Sequence, residues 1–179
     1  MQQAFQRRKK TPGIIILIVW FIWSSVRDLD HLIRASGTTD YHIFSSNGLM
    51  PLFFLFAAAV FLLDSATVIY LFRPRPAGFY VALSALATSI IQSIVSVSLA
   101  LSDLRGVRQA YAAGREARGL SVREEALDMM FTPRAMYLML VLLVLINAVA
   151  AFLITRNRGY FFSDNISPTA LPQETSPTA

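Results

Sequence analysis

LMPLFFLFAAAVFLLDSATVIYLF, residues 49–72, is a stretch of 24 residues whose apolar character is broken most sharply by one carboxylate, Asp64. At ~1.5 Å of helical rise per residue it is long enough to cross the ~30 Å hydrocarbon layer of a bilayer. An ionisable side chain at that depth is costly, so one that persists marks a candidate functional site and needs a partner. The sequence offers none nearby. The closest basic residues, Arg73 and Arg75, follow the end of Asp64's own helix.

Three further apolar runs accompany it, and the spans are predicted at about 12–27, 49–72, 77–101 and 135–155. The chain is 55% hydrophobic over 179 residues and has a mean hydropathy of +0.51. Soluble domains hold ~45 to 50% apolar residues. The fold class that follows is all-α: an integral membrane four-helix bundle covering 13–162. Residues 1–12 form a basic N-terminal segment, and 102–134 a helical connection. Residues 163–179, rich in Ser, Thr and Pro, read as a disordered tail. Asn165-Ile166-Ser167 in that tail matches a glycosylation acceptor, a pattern common by chance.

The first run is the short one. Gly13 to Val26 covers only about 21 Å, so Lys9, Lys10 and Arg27 must snorkel outward to complete a crossing. A basic segment before a short apolar run also fits a secretory signal, but Ile22-Trp23-Ser24-Ser25 presents no Ala-x-Ala cleavage pattern. A retained span is expected.

Absence of cysteine excludes disulfides and thiolate metal sites. The net charge of +5 does not point to nucleic acid, because the basic residues flank the apolar runs. Arg7, Arg8, Lys9, Lys10, Arg73, Arg75, Arg156 and Arg158 read instead as orientation signals and contacts to anionic lipid headgroups. Lys and Arg divide eight and eight between the two sides of a four-span topology. Packing of the first group close to span ends, including the first helix, favours cytoplasmic termini. The predominance of Arg over Lys, with abundant Ala, hints at a GC-rich bacterial genome and nothing more; the expected location is the inner (plasma) membrane.

Two halves of the chain share a pattern at an offset of 83 residues. Leu62-Leu63-Asp64 aligns with Leu145-Ile146-Asn147, and Arg73-Pro74-Arg75 with Arg156-Asn157-Arg158. Gly and aromatics follow both Arg pairs, and Pro51 and Pro133 stand near the first turns of their spans, where proline's missing N–H is harmless. Asp28-Leu29 and Asp103-Leu104 follow the first and third runs. This predicts a tandem pair of transmembrane hairpins, parallel rather than inverted. The layout resembles the small four-span bacterial membrane proteins classed as domains of unknown function, and that resemblance implies no activity.

The connection is predicted to be helical. Leu104, Val107, Ala110 and Tyr111 have helical spacing and would prolong the third span, and Ser121-Val122-Arg123-Glu124 reads as a capping box opening a second helix.

Counting from the span ends places Asp64, Ser84 and Asn147 at one level, about 13 Å deep, with Thr88 a turn away from Ser84. An intramembrane cluster of Asp64, Ser84, Thr88 and Asn147 would give the acid hydrogen-bonding partners. Ala85, Ser89, Gln92, Ser93 and Ser96 form a small, polar stripe suited to close helix packing. Asp64 itself reads as a neutral, hydrogen-bonded acid, as a proton or cation carrier, or as a contact to a partner protein. Asn147 in the equivalent place favours the first, since an amide replaces a neutral acid's hydrogen bonds but carries no proton.

Both histidines lie between the first two spans, and Asp28, Asp30, His31, Asp40 and His42 are weak candidate metal ligands at no established spacing. Neither a resident metal nor a cofactor is expected. Enzyme signatures are absent: the sequence has no H-E-x-x-H, no phosphate loop and no intramembrane Lys or His to activate a serine. The leading expectation is a non-enzymatic scaffolding or accessory component in the lipid bilayer, working through helix association as a homo-oligomer or in a larger complex. The alternative is a small proton- or cation-linked transporter or channel subunit using Asp64 and the stripe.

Overall fold

The computed structural model describes residues 10–162, so the expected tail at 163–179 and Arg7, Arg8 and Lys9 lie outside the described residues. Helices α1 (Pro12–Ile33), α2 (Thr39–Ser46), α3 (Met50–Phe72), α4 (Pro76–Ser102), α5 (Leu104–Glu116), α6 (Glu124–Met130), α7 (Pro133–Arg156) and α8 (Arg158–Phe162) follow one another, with a single 3-10 turn at Ala35–Gly37. No strand occurs among the described residues. Four of the helices, α1, α3, α4 and α7, are long and apolar enough to cross a bilayer, which makes this a multi-pass membrane protein.

Each of those four starts with proline in its first turn: Pro12, Pro51, Pro76 and Pro133. Proline there has a φ already suited to the helix and gives up an N–H that had no intrahelical partner. Thr11 and Thr132 cap α1 and α7, their hydroxyls accepting from the N–H groups of Ile14 and Ala135 at 3.4 and 3.2 Å.

The spans form a ring in the order α1, α3, α4, α7, with α7 returning to α1. Aliphatic side chains gain little by leaving lipid for one another, so small residues that let backbones approach do much of the work. Ala57, Ala82, Ala85, Ala100 and Ala150 are buried at these contacts. Gly78 is the tightest point: a Cβ there would lie 2.5 Å from the Tyr70 Cβ and 3.3 Å from the Phe161 ring. Outward-facing Val19, Trp23, Leu55, Leu62, Leu138 and Val149 are left exposed to lipid.

The expected repeat is visible in the burial pattern. Asp64, Thr67 and Leu71 line the inner face of α3, and Asn147, Ala150 and Ile154, each 83 residues later, line that of α7. The aromatics after the two Arg pairs pack on one another, with Phe79 5.7 Å from Phe162 and 6.2 Å from Phe161 between ring centres. Tyr160 donates to the Leu71 carbonyl at 2.7 Å.

Two expectations change. The first span does not stop near residue 27: α1 continues to Ile33 with Arg27, Asp28, Asp30 and His31 inside it. Its 22 residues give about 33 Å. The periodicity of Leu17, Phe21, Ser24 and Asp28 on its buried face carries it past the end of the apolar run. The connection is helical but differently divided. Asp103 breaks α4 from α5 and caps α5, its carboxylate accepting from the Gly106 N–H at 2.9 Å. The capping box does not form; α6 starts at Glu124 without a side-chain cap. Glu124 pairs with Arg108 of α5, which also holds Asp128 at 2.9 Å.

Candidate functional site: a polar layer inside the bundle

Two apolar clusters fill the ring. One, at the end where α1 begins and α7 finishes (the terminal end), gathers Leu17, Phe21, Leu71, Leu86 and Ile154. The other, at the opposite or loop end, holds Phe44 of α2 against Phe53, Ala57, Ala100 and Val107. Between them lies a polar layer: Ser24 and Asp28 from α1, Asp64 from α3, Ser89 from α4 and Asn147 from α7.

Asp64 has partners, and they come from α1. Its side chain faces Ser24, Asp28 and Arg27. The Ser24 hydroxyl donates to Asp28 Oδ2 at 3.5 Å, and the Arg27 guanidinium reaches Asp28 Oδ1 at 3.3 Å. Both carboxylates are buried, Asp64 at 4% and Asp28 at 7% exposure, while the Arg27 side chain is half exposed. Two acids and one guanidinium at bilayer depth are an uncommon arrangement, because unlike-charge pairing offsets the charge of only one acid.

The layer encloses a chamber of about 200 Å³ lined by Trp20, Ser24, Arg27, Asp64, Ala85, Ser89 and Asn147, with Met139, Leu142 and Ile146 along one side. It has room for a water cluster or a small ligand group. Asn147 turns into it, but its amide N–H donates to the Leu143 carbonyl of its own helix at 2.9 Å. The expected acid–amide pair across the bundle is therefore absent, and Oδ1 of Asn147 is left to the chamber.

Ser84, expected beside Asp64, is exposed, and Thr88 is absent from the chamber lining. Depth was a sound guide and helical phase was not: Ala85 and Ser89, one position further along α4, face inward instead. Gln92, Ser93 and Ser96 are partly buried and continue the same face, with the Ser93 hydroxyl turned back onto the Ser89 carbonyl at 2.8 Å. Arg73, Arg75, Arg156 and Arg158 are exposed at the terminal end. There Lys10 lies 4.2 Å over the Phe72 ring, and Arg158 lies 5.0 Å over Phe162.

The five candidate metal ligands go separate ways. Asp28 turns inward, Asp30 pairs with Arg34 at 2.8 Å, and Asp40 of α2 faces His31 and Arg27. His42 is partly buried on α2. Among the described residues no three His, Asp or Glu side chains converge as a metal site. Burial pushes the Asp40 carboxyl above its ordinary value of 3.8, and the positive fields of His31 and Arg27 oppose that rise. Arg27 thus stands between Asp40 at the loop end and Asp28 in the layer.

Ser24, Arg27 and Asp28 are the members of the polar layer that sequence reasoning did not place beside Asp64, Arg27 having been read as a flanking charge and Asp28 as a weak candidate metal ligand. Their signal was the extension of α1's buried face by one turn, Phe21 to Ser24 to Asp28, hidden because the apolar run stops at Val26. No protein-family model, curated protein or solved structure matches the chain.

Proposed function

We propose that this chain is a small, non-enzymatic membrane carrier or channel subunit that binds a cation at Asp64 and exchanges it against a proton. The observation that supports this reading over a purely structural role is the opening of the Asp64 carboxylate, with Asp28 of a different helix beside it, onto a chamber of about 200 Å³. A bundle that needed only a neutral interhelical hydrogen bond would pair Asp64 with the Asn147 amide, whose donor instead serves its own helix. In the ionised state Asp28, Asp64 and Arg27 sum to one negative charge, which one monovalent cation or one proton neutralises. We place the protein in a bacterial inner membrane with cytoplasmic termini. Alkaline phosphatase fused at Ala179 stays inactive in that topology and becomes active in the reverse one.

The test is flux. Proteoliposomes loaded with a pH-sensitive dye receive a gradient of sodium, potassium or ethylammonium in turn. At least one gradient drives proton movement that Asp64→Asn abolishes. Proton movement equal to that of protein-free vesicles for all three, or unaltered by Asp64→Asn, removes the carrier reading and returns the protein to the scaffolding or accessory role that the sequence led with.

A further inference from the structure

The chamber opens sideways. Its α7 lining, Met139, Leu142 and Ile146, is exposed on the outside of the bundle, and Trp20 of α1 completes the rim. Toward the terminal end the same α1–α7 seam holds a second cavity of about 250 Å³, apolar throughout, which α7 borders from Leu145 to Leu153. That border is about 12 Å long. Trp20 and Ile146 line both cavities, so the apolar groove lies directly beside the polar chamber with these two side chains at their boundary.

We infer that the ligand is a membrane-dissolved organic monocation, a primary ammonium on an apolar tail, which enters through the α1–α7 seam with its tail in the groove and its ammonium at Asp64. This rests on the cation-site reading above. Charge selects the head: Arg27 pairs directly with Asp28, and Asp64, hydrogen-bonded to Ser24 and Asp28, is the carboxylate that lines the chamber. Hydrogen bonding selects an ammonium with N–H donors, because Asp64, Oδ1 of Asn147 and the hydroxyl oxygens of Ser24 and Ser89 offer acceptors around one small space. Trp20 stands where head and tail meet, and its ring favours a cation at its face. The groove selects the tail, since a molecule already partitioned into lipid meets an apolar wall at the seam, formed by Ile16, Leu17, Val149 and Leu153.

Trp20 and Trp23 are the two tryptophans of the chain, so Trp23→Phe leaves Trp20 as the reporter. In that background, purified protein in lipid nanodiscs is titrated with octylammonium, with ethylammonium and with neutral octanol. Octylammonium produces a saturable change in Trp20 emission at a concentration at least about tenfold below that of ethylammonium, because the buried methylenes add to binding and to enrichment in lipid. Octanol produces no saturable change, and adding Asp64→Asn abolishes the response to both amines. Val149→Phe, on the exposed wall of the groove, weakens octylammonium several-fold and leaves ethylammonium unchanged. Leu145→Phe, on the same wall, replaces it if that variant is not monodisperse.

An Asp64-dependent response to ethylammonium that octylammonium does not surpass, or one to octylammonium that Val149→Phe and Leu145→Phe leave intact, overturns the seam and its apolar ligand but retains the cation site. A saturable response to octanol equal to that of octylammonium also overturns it. No Asp64-dependent response to either amine removes both the ligand and the cation site.

Discussion

The α3–α4 seam and the α7–α1 seam occupy equivalent places in a ring built from two hairpins, yet the first is closed and the second carries a groove. The short segment Arg73-Pro74-Arg75 ties α3 to α4, and Gly78 lets α4 and Phe161 press onto Tyr70. Helices α1 and α7 have no such connection. They are fastened at the terminal end, where the Thr11 hydroxyl donates to Asn157 Oδ1 at 2.7 Å and Gly13 lies against Asn157 and Leu153. The difference puts the groove, and with it the proposed route of ligand entry, at the seam that covalent connection does not close.

The comparison breaks most severely at Gly78. Gly78→Val places side-chain atoms inside contact distance of the Tyr70 Cβ, which cannot swing away. The overpacking costs about 1 to 3 kcal/mol or more. Thermal unfolding in detergent shows the loss, and a wild-type melting curve would mean that the α3–α4 seam is not tight. Thr11→Ala comes next, removing both the α1 cap and the tie to Asn157 at a cost of about 1 kcal/mol. Flux through the loosened seam is retained, which distinguishes a fastening from a ligand contact.

A smaller effect concerns the loop end of α1, where Asp40 sits against His31 and Arg27. A carboxyl whose folded value is raised binds its proton more tightly in the folded than in the unfolded protein, so this stabilisation is present at low pH. It is lost as pH rises from the ordinary value of 3.8 through the raised one. Asp40→Asn flattens that part of the stability–pH profile, and an unchanged slope between the two proteins would contradict it. The smallest effect is Val149→Phe at the open seam. Its side chain is exposed, so stability changes by no more than about 0.5 kcal/mol. A loss as large as that at Gly78 would show the two seams to be packed alike.

Much of the fold was legible in the sequence. Apolar length located α3, α4 and α7 within a few residues, and the 83-residue offset anticipated that Asp64 and Asn147 would share a buried level. What remained hidden depended on helical phase and on contacts between helices. A run count ended the first span at the last apolar residue, whereas a helix in a bundle ends where its buried face ends, and α1 buries Asp28 beyond Arg27. Depth placed Ser84 with Asp64, but phase turned Ser84 outward and Ser89 inward. Ser121 lost its place as a cap because Glu124 is held by Arg108, an ion pair across the connection that no local motif encodes. The partners of Asp64, which are Ser24, Arg27 and Asp28, lay 36 to 40 positions earlier in the chain, on the helix with the shortest apolar run.

Direct competition between a proton and a cation for Asp64 is the central claim, and proton release measures it. When ethylammonium is added to the purified protein in weakly buffered solution at the pH of fastest exchange, the wild type is expected to release up to about one proton per chain, and Asp64→Asn none. Equal release from both proteins, or ethylammonium binding without any release, would contradict the claim.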